Sequence, residues 1–142
     1  MEETLSFFSH EIDFTLDKED SVSDWILFVV SAYGKQAGEI NYIFCDEEYM
    51  LTLNRQFLDH DYYTDILTFP HAPEGSPALY ADIYISIDRV RENADTFQSS
   101  FTDELHRVII HGILHLLGFD DHDENEAQMR AKENEALSWR KF

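Results

Sequence analysis

The stretch L-Y-A-D-I-Y-I-S-I at residues 79–87 decides the fold of this chain. Its apolar side chains occupy every second position, which is the period of a strand with one buried face. A short helix is predicted at residues 88–96, and a longer one opens at Thr102 and Asp103 and ends at Gly118. We therefore predict a strand that leads directly into two helices.

Three more strands are predicted upstream of this stretch. E-I-D-F-T-L at residues 11–16, in the opening segment 5–16, alternates apolar and polar residues, and so does E-I-N-Y-I-F-C at residues 39–45. A short strand is predicted at residues 66–69, ahead of a loop with two prolines and a glycine. These short strands are expected to form one small sheet.

Three further helices complete the prediction. Ser21 or Ser23 is expected to cap the first helix, which ends near Gly34 or Gly38. The next covers residues 46–58, and the last covers residues 125–140. Because strands and helices alternate irregularly and without repeats, residues 1–142 are predicted to form a single α+β domain with helices against the sheet.

Composition limits where the chain works and what it binds. The 142 residues, 44% of them hydrophobic, suffice for one soluble domain with a core. No apolar run reaches the roughly 18 residues of a membrane span, and the opening M-E-E-T lacks the positive charge of a signal peptide. We therefore expect a cytoplasmic protein without membrane partners.

Charge argues against non-specific binding of nucleic acid, and cysteine content excludes an intrachain disulfide and a metal site built from thiolates. The formal net charge of −19 argues against non-specific coating of nucleic acid, which needs clustered cations. Cys45 is the single cysteine, so an intrachain disulfide and a thiolate metal cluster are both impossible. The acidic residues at 120–135 are expected to form the solvated face of a helix.

The segment H-G-I-L-H-L-L-G-F-D-D-H at residues 111–122 has the spacing of a metal site. His111 and His115 are four residues apart, so on a helix both rings project from one face and can share an ion. Asp120, Asp121 and His122 follow the helix end and can provide a third ligand. Three N/O ligands plus water form the open geometry of a catalytic zinc site. Packing histidines on an ordinary helix face would give the same pair.

The same segment differs from the zinc proteases that it partly resembles. In the H-E-x-x-H pattern a glutamate follows the first histidine and acts as general base, whereas Gly112 follows His111 here. Without that carboxylate, peptide hydrolysis loses the group that activates water.

Three blocks of sequence resemble the YbeY family of bacterial endoribonucleases. They are L-N-R-Q-F-L-D-H-D-Y-Y-T-D-I-L-T-F-P from residue 53, A-D-I-Y-I-S from residue 81 and H-G-I-L-H-L-L-G-F-D from residue 111. The resemblance implies an α+β fold with a mixed four-stranded sheet, one zinc ion on a central helix, and cleavage of single-stranded RNA. It also implies a role in 16S rRNA 3′-end maturation and ribosome quality control, with the small ribosomal subunit or its assembly factors as partners. His60, in the first block, is then a candidate for lining the site.

The chain departs from the family pattern at two positions that matter for chemistry. Asp121 occupies the place of the usual third histidine, and His122 follows it, so either residue is a candidate third zinc ligand. Leu58 replaces an arginine that the family is thought to use in catalysis, which makes Arg55, one helical turn earlier, a candidate substitute. Asp82 is a candidate partner for a zinc-bound histidine.

Two other classes of function remain open at this point. One is a ribosome-assembly binding factor with a structural zinc ion, which the acidic charge and Leu58 favour. The other is a small zinc hydrolase of another substrate class, such as a peptidase, which Gly112 disfavours.

Overall fold

The computed structural model describes residues 4–72, 75–120 and 123–142. Over these ranges it has four strands, five α-helices and a short 3₁₀ helix at Asp123–Asn125. In chain order the elements are β1 (Thr4–Ser9), α1 (Glu19–Ala32), β2 (Gln36–Cys45), α2 (Glu47–Leu58), β3 (Ile66–Pro70), β4 (Ala78–Ser86), α3 (Ile87–Phe97), α4 (Phe101–Leu116) and α5 (Glu126–Ser138). The predicted α+β fold is confirmed.

The four strands form one mixed sheet in the order β1-β2-β4-β3. β2 runs parallel to both β1 and β4, while β3 is an antiparallel edge strand paired with β4. β4 is the strand predicted from residues 79–87, and it continues directly into α3. Its position inside the sheet explains why its alternation is the clearest in the chain.

The main core lies between one face of the sheet and the helices around α4. Ile40, Tyr42 and Ile83 face this core together with Ile109 and Ile113 of α4. The buried Tyr42 hydroxyl donates a hydrogen bond to the backbone oxygen of Ile109 (2.9 Å) and so fixes α4 on the sheet. Helix α2 covers part of the other face, over a smaller cluster of Cys45, Met50, Leu53 and Leu67.

Gly112 lets α4 lie very close to the sheet. A Cβ atom built at Gly112 would be 3.0 Å from Ile66 Cδ1 and 3.3 Å from Ile83 Cδ1. Such distances are shorter than ordinary contacts, so a methyl group here would fit only if the side chains of Ile66 and Ile83 shifted. Gly112 therefore faces the core, whereas its neighbour His111 faces the cleft described below.

The first strand lies elsewhere than predicted. β1 is formed by T-L-S-F-F-S, and residues 11–16 are irregular. The chain turns at Glu11, which has a positive φ of 55°, and the His10 amide donates to the Phe44 carbonyl oxygen (2.8 Å). After this turn, Ile12 and Phe14 pack against the core without pairing in the sheet. Their alternation reflects burial of one side of a loop.

The start of α1 also differs from the prediction. Neither Ser21 nor Ser23 is the N-cap, because Lys18 adopts a left-handed conformation (φ 56°) and the helix begins at Glu19. The predicted end is correct, since the helix stops at Ala32 and Gly34 follows with a positive φ of 75°. None of the helices in the described ranges is long and apolar enough to cross a membrane.

Candidate active site

A cleft of about 570 Å³ opens between α4, the start of β3 and the loop that follows α2. His111 and His115 both line it, from the C-terminal half of α4. The other described lining residues are Asn54, Leu58, His60, Tyr62, Thr64, Asp65, Ile66, Leu67, Thr68, Arg107 and Val108. The cleft thus combines the predicted histidine pair with part of the first family block, including His60.

Glu133 of α5 orients His111. The Nδ1 atom of His111 donates a hydrogen bond to Oε2 of Glu133 (2.7 Å), and only 2% of the Glu133 side chain is exposed. Burial alone would raise the pKa of Glu133, but the hydrogen bond from His111 and the charge of Arg107 outweigh burial and lower it. Because Nδ1 carries the proton, a metal ion bound by this ring would be held through Nε2.

Arg107 links Glu133 to the rest of the cleft wall. Its guanidinium donates to Glu104 through Nε (2.9 Å) and to Glu133 through Nη1 (3.2 Å). Both carboxylates are almost completely buried, so each depends on this cation to compensate for lost hydration. The hydrogen bonds of Arg107 to these two carboxylates therefore hold its side chain in the cleft wall, one helical turn before His111.

Asp65 is the carboxylate of the cleft nearest to this network. Its Oδ2 accepts a hydrogen bond from Asn93 of α3 (3.1 Å) and lies 3.8 Å from Nη2 of Arg107. Burial raises the pKa of Asp65, and the nearby charge of Arg107 offsets this rise only in part. Asp65 is thus a partly buried carboxylate that shares the cleft with the histidine pair.

The predicted third ligand falls outside the described residues, since neither Asp121 nor His122 is described. Within 4–72, 75–120 and 123–142, no group of three histidine, cysteine, aspartate or glutamate side chains is arranged to hold a metal ion. Two imidazoles that share a cleft, one of them hydrogen-bonded to a buried carboxylate, nevertheless form the donor set typical of zinc sites. The two histidines therefore fit as two ligands of one metal ion.

The two candidate catalytic residues lie away from the histidine pair. Arg55 projects from α2 and pairs with Asp61 at the surface (Nε to Oδ1, 2.5 Å). Asp82 of β4 contacts His71 (3.0 Å) and Asn41 (3.0 Å) on the sheet face opposite α4. The predicted pairing of Asp82 with His111 or His115 is therefore not made, because successive β4 side chains alternate between faces and Ala81 and Ile83 take the α4 side. Glu133 is the carboxylate that contacts His111 instead.

Sequence reasoning missed Glu133 and the role of Asp65. Glu133 belongs to the acidic segment that was expected to be solvated, and for this residue the expectation is wrong. A spacing signal does exist, because Glu126, Met129, Glu133 and Ala136 lie three or four residues apart, and three of these four residues are buried. A charged residue on the apolar side of a helix is the pattern that would have identified Glu133.

Comparison with known proteins agrees with this fold. A family model described as Endoribonuclease YbeY matches residues 6–140. A protein named Endoribonuclease YbeY from Flavobacterium psychrophilum is 48% identical over 92% of both chains, and one from Cytophaga hutchinsonii is 46% identical over 99% of both. The solution structure of TM1509 from Thermotoga maritima superposes with a TM-score of 0.65 at 28% identity, covering 94% of this chain and 87% of that one.

The fold, the cleft and these relatives together define an RNA-cleaving hydrolase of the α+β class. More particularly, the chain belongs to the endoribonuclease YbeY family.

Proposed function

We propose that this protein is a zinc-dependent endoribonuclease that cleaves single-stranded RNA. We further propose that it acts in 16S rRNA 3′-end maturation and ribosome quality control, in contact with the small ribosomal subunit or its assembly factors. The observation that carries the proposal is the pairing of His111 and His115 in one cleft, with His111 fixed by the buried Glu133. The family membership supports cleavage of RNA by this site.

His111, His115 and either Asp121 or His122 would hold one zinc ion. When bound, zinc supplies positive charge that polarises a phosphoryl oxygen and lowers the pKa of water toward roughly 7. Glu133 keeps the proton of His111 on Nδ1, which directs the other ring nitrogen to the ion. Arg107 holds Glu133 in place and compensates for its charge.

Asp65 is the residue that we assign to proton transfer. It lines the same cleft as the histidine pair, and its Oδ2 is anchored by Asn93, which fixes the carboxylate plane. An anchored carboxylate can accept the proton of an attacking hydroxyl group, either from water or from the ribose 2′-OH. The product ends separate these two nucleophiles. Attack by the 2′-OH breaks the P–O5′ bond and leaves a 2′,3′-cyclic phosphate and a 5′-hydroxyl, whereas attack by water leaves a linear phosphate monoester and a hydroxyl end.

The test combines metal content with cleavage. Purified protein is analysed by elemental mass spectrometry, and single-stranded RNA cleavage is followed in the same samples for the wild type and for His111→Ala, His115→Ala, Asp121→Ala and His122→Ala. One zinc per chain that is lost together with cleavage supports the proposal, and the residue whose loss removes zinc identifies the third ligand. Absence of metal and of cleavage in the wild type would overturn it.

One observation favours a second candidate, a ribosome-assembly binding factor with a structural zinc ion. Leu58 lines the cleft where an apolar side chain cannot stabilise a developing negative charge. This alternative predicts that zinc is retained, that RNA is bound and that no cleavage occurs under any metal condition.

A further inference from the structure

Exposed apolar side chains are concentrated beside the cleft. The described residues include eight large hydrophobic side chains that are exposed, and four of these lie between residues 57 and 63. They are Phe57, Leu58, Tyr62 and Tyr63. A surface that presents so much apolar area at the end of α2 and in the loop after it, next to a cleft, is typical of a binding surface.

Tyr62 of this group forms a stacked pair with His60. Their rings stack with centroids 5.2 Å apart and an interplanar angle of 22°, and the Tyr62 hydroxyl lies 3.0 Å from Nδ1 of His60. The Tyr62 backbone oxygen accepts a hydrogen bond from Nδ2 of the buried Asn54 (2.8 Å). We call Leu58, His60 and Tyr62, which all line the cleft, the aromatic shelf.

The cleft wall beneath the aromatic shelf contains an acceptor that lacks a donor. Oδ1 of Asn54 is buried and has no hydrogen-bond partner among the described residues. The contact of Nδ2 with Tyr62 fixes the orientation of the amide, so Oδ1 is the atom left unsatisfied. An unsatisfied buried acceptor is costly. Nucleobases and ribose carry N–H and O–H groups that can supply the missing donor to Oδ1 of Asn54, whereas phosphate diesters carry none.

Positive charge is scarce around the aromatic shelf. Arg55 is the only lysine or arginine between residues 36 and 88, and it is paired with Asp61. Arg107, the one arginine among the described residues that line the cleft, is held by Glu104 and Glu133. Recognition of RNA here cannot depend on many phosphate contacts, which leaves stacking as the main source of affinity.

We propose that the aromatic shelf binds one unpaired RNA base by stacking on Tyr62, next to the phosphodiester that the histidine pair faces. This inference rests on the proposed ribonuclease function and names the feature of the substrate that its cleft recognises. A base within a duplex has both faces covered by its neighbours, so the aromatic shelf would select unpaired RNA. Binding would also depend only weakly on salt.

The experiment measures binding of a short fluorescein-labelled single-stranded RNA by anisotropy, with Asp65→Asn in every protein to slow cleavage of the RNA while zinc is retained. Adding Tyr62→Ala should weaken binding about tenfold, whereas Tyr62→Phe, which keeps the ring, should remain within about twofold. Tyr63→Ala is the matched control, because Tyr63 is exposed in the same loop but bonds to Glu48 (2.8 Å) and lies outside the cleft lining. RNA with abasic nucleotides should bind about tenfold more weakly than normal RNA.

Two results would overturn the aromatic shelf. One is unchanged affinity of Tyr62→Ala, which is also expected if the shelf serves a protein partner. The other is equal binding of normal and abasic RNA with a steep salt dependence, which indicates phosphate recognition. Cleavage by the otherwise wild-type protein is measured separately, with KM and kcat for Tyr62→Ala. If Tyr62→Ala cleaves RNA with an unchanged KM, the aromatic shelf is refuted and the nuclease function is not. If Tyr62→Ala weakens RNA binding but the wild type cleaves no RNA, the nuclease function is refuted and the aromatic shelf is not.

Discussion

Two histidines on α4, His106 and His111, lie five residues apart and have opposite partners. Nδ1 of His106 accepts a hydrogen bond from Arg140 (2.8 Å), whereas Nδ1 of His111 donates one to Glu133 (2.7 Å). His106 is also enclosed by the rings of Trp25 and Phe142, whose centroids are 5.7 and 5.4 Å from its own. The same side chain is thus kept neutral at position 106 by burial and a neighbouring cation, and is oriented at position 111 by a carboxylate.

The difference shows that the protonation state and orientation of each histidine depend on the side chain that contacts it, and not on its position in α4. Burial, together with the charge of Arg140, lowers the pKa of His106 to about 4, so this ring stays uncharged and serves packing. Glu133 stabilises the Nδ1–H form of His111, which suits metal binding. Sequence spacing selects His111 and His115 as a pair, but the environments of His106 and His111 separate only in three dimensions.

Removing either histidine of the pair should have the largest effect. His111→Ala and His115→Ala are each expected to lose the zinc and to lower cleavage by about three orders of magnitude, because a bound metal supplies several kcal/mol of transition-state stabilisation. His106→Gln is the internal control on the same helix and should keep both. If His106→Gln also lost the metal, the contrast between His106 and His111 would fail. Metal content and single-turnover cleavage are the measurements.

Asp65→Asn should lower kcat by roughly 100-fold or more while zinc is retained, because the amide cannot accept a proton. Asp61→Asn is a suitable control, since Asp61 is an exposed carboxylate four residues earlier. A kcat for Asp65→Asn within threefold of the wild type would remove Asp65 from the chemistry.

Glu133→Gln should weaken zinc binding about 10- to 100-fold, because the amide no longer holds the His111 proton as a carboxylate does. Glu135→Gln, on an exposed part of the same helix, should leave affinity unchanged. Affinity is measured by competition with a chelator, and ¹⁵N NMR of the imidazole reports the His111 tautomer. An unaltered tautomer and affinity in Glu133→Gln would show that the contact is only structural.

The stability of the protein should fall as the pH decreases from about 6.5 to 4, partly because of His106. The unfolded chain takes up a proton near pH 6.5, but the folded state resists it until about pH 4, so the folded state binds fewer protons in this window. Urea unfolding measures the free energy of unfolding at pH 7 and at pH 4.5. Between these two values it should fall by about 2 kcal/mol less for His106→Gln than for the wild type. Parallel losses in both proteins would contradict this.

Arg55→Ala should have the smallest effect. The Arg55–Asp61 pair is exposed, so its loss should cost at most about 1 kcal/mol of stability, and kcat should change less than threefold. A large drop in kcat would instead restore Arg55 as the substitute for the arginine that Leu58 replaces.

Much of the fold could be predicted because its signals are local. The period of β4, the glycine after α1 and the acidic start of α2 each lie within a few residues of the element they define. The failure at residues 11–16 has a physical cause, since an alternating loop that packs Ile12 and Phe14 on the core has the same pattern as a strand. Only the pairing of β1 with β2 decides between the two.

The candidate site was predictable only where its residues are close in sequence. His111 and His115 share one helical face, but Glu133 is 22 residues beyond His111, and Asp65 approaches Arg107 from another element. Charge patterning assigns an acidic stretch to solvent as a whole, so it cannot identify the carboxylate of that stretch that pairs with the partly buried Arg107. Contacts of this kind depend on how helices pack.

The contact between α4 and α5 also sets the order in which this enzyme is completed. His111 and Arg107 lie on α4, but the carboxylate that both contact lies on α5, which follows them in the chain and is tied to α1 by the Trp25 Nε1 bond to Ala136 (2.8 Å). While the chain is being synthesised, residues up to the end of α4 hold the histidine pair without its orienting partner. A nascent ribonuclease surrounded by ribosomal RNA therefore gains the contact of Glu133 with His111 only when α5, the last described helix, has docked on α4.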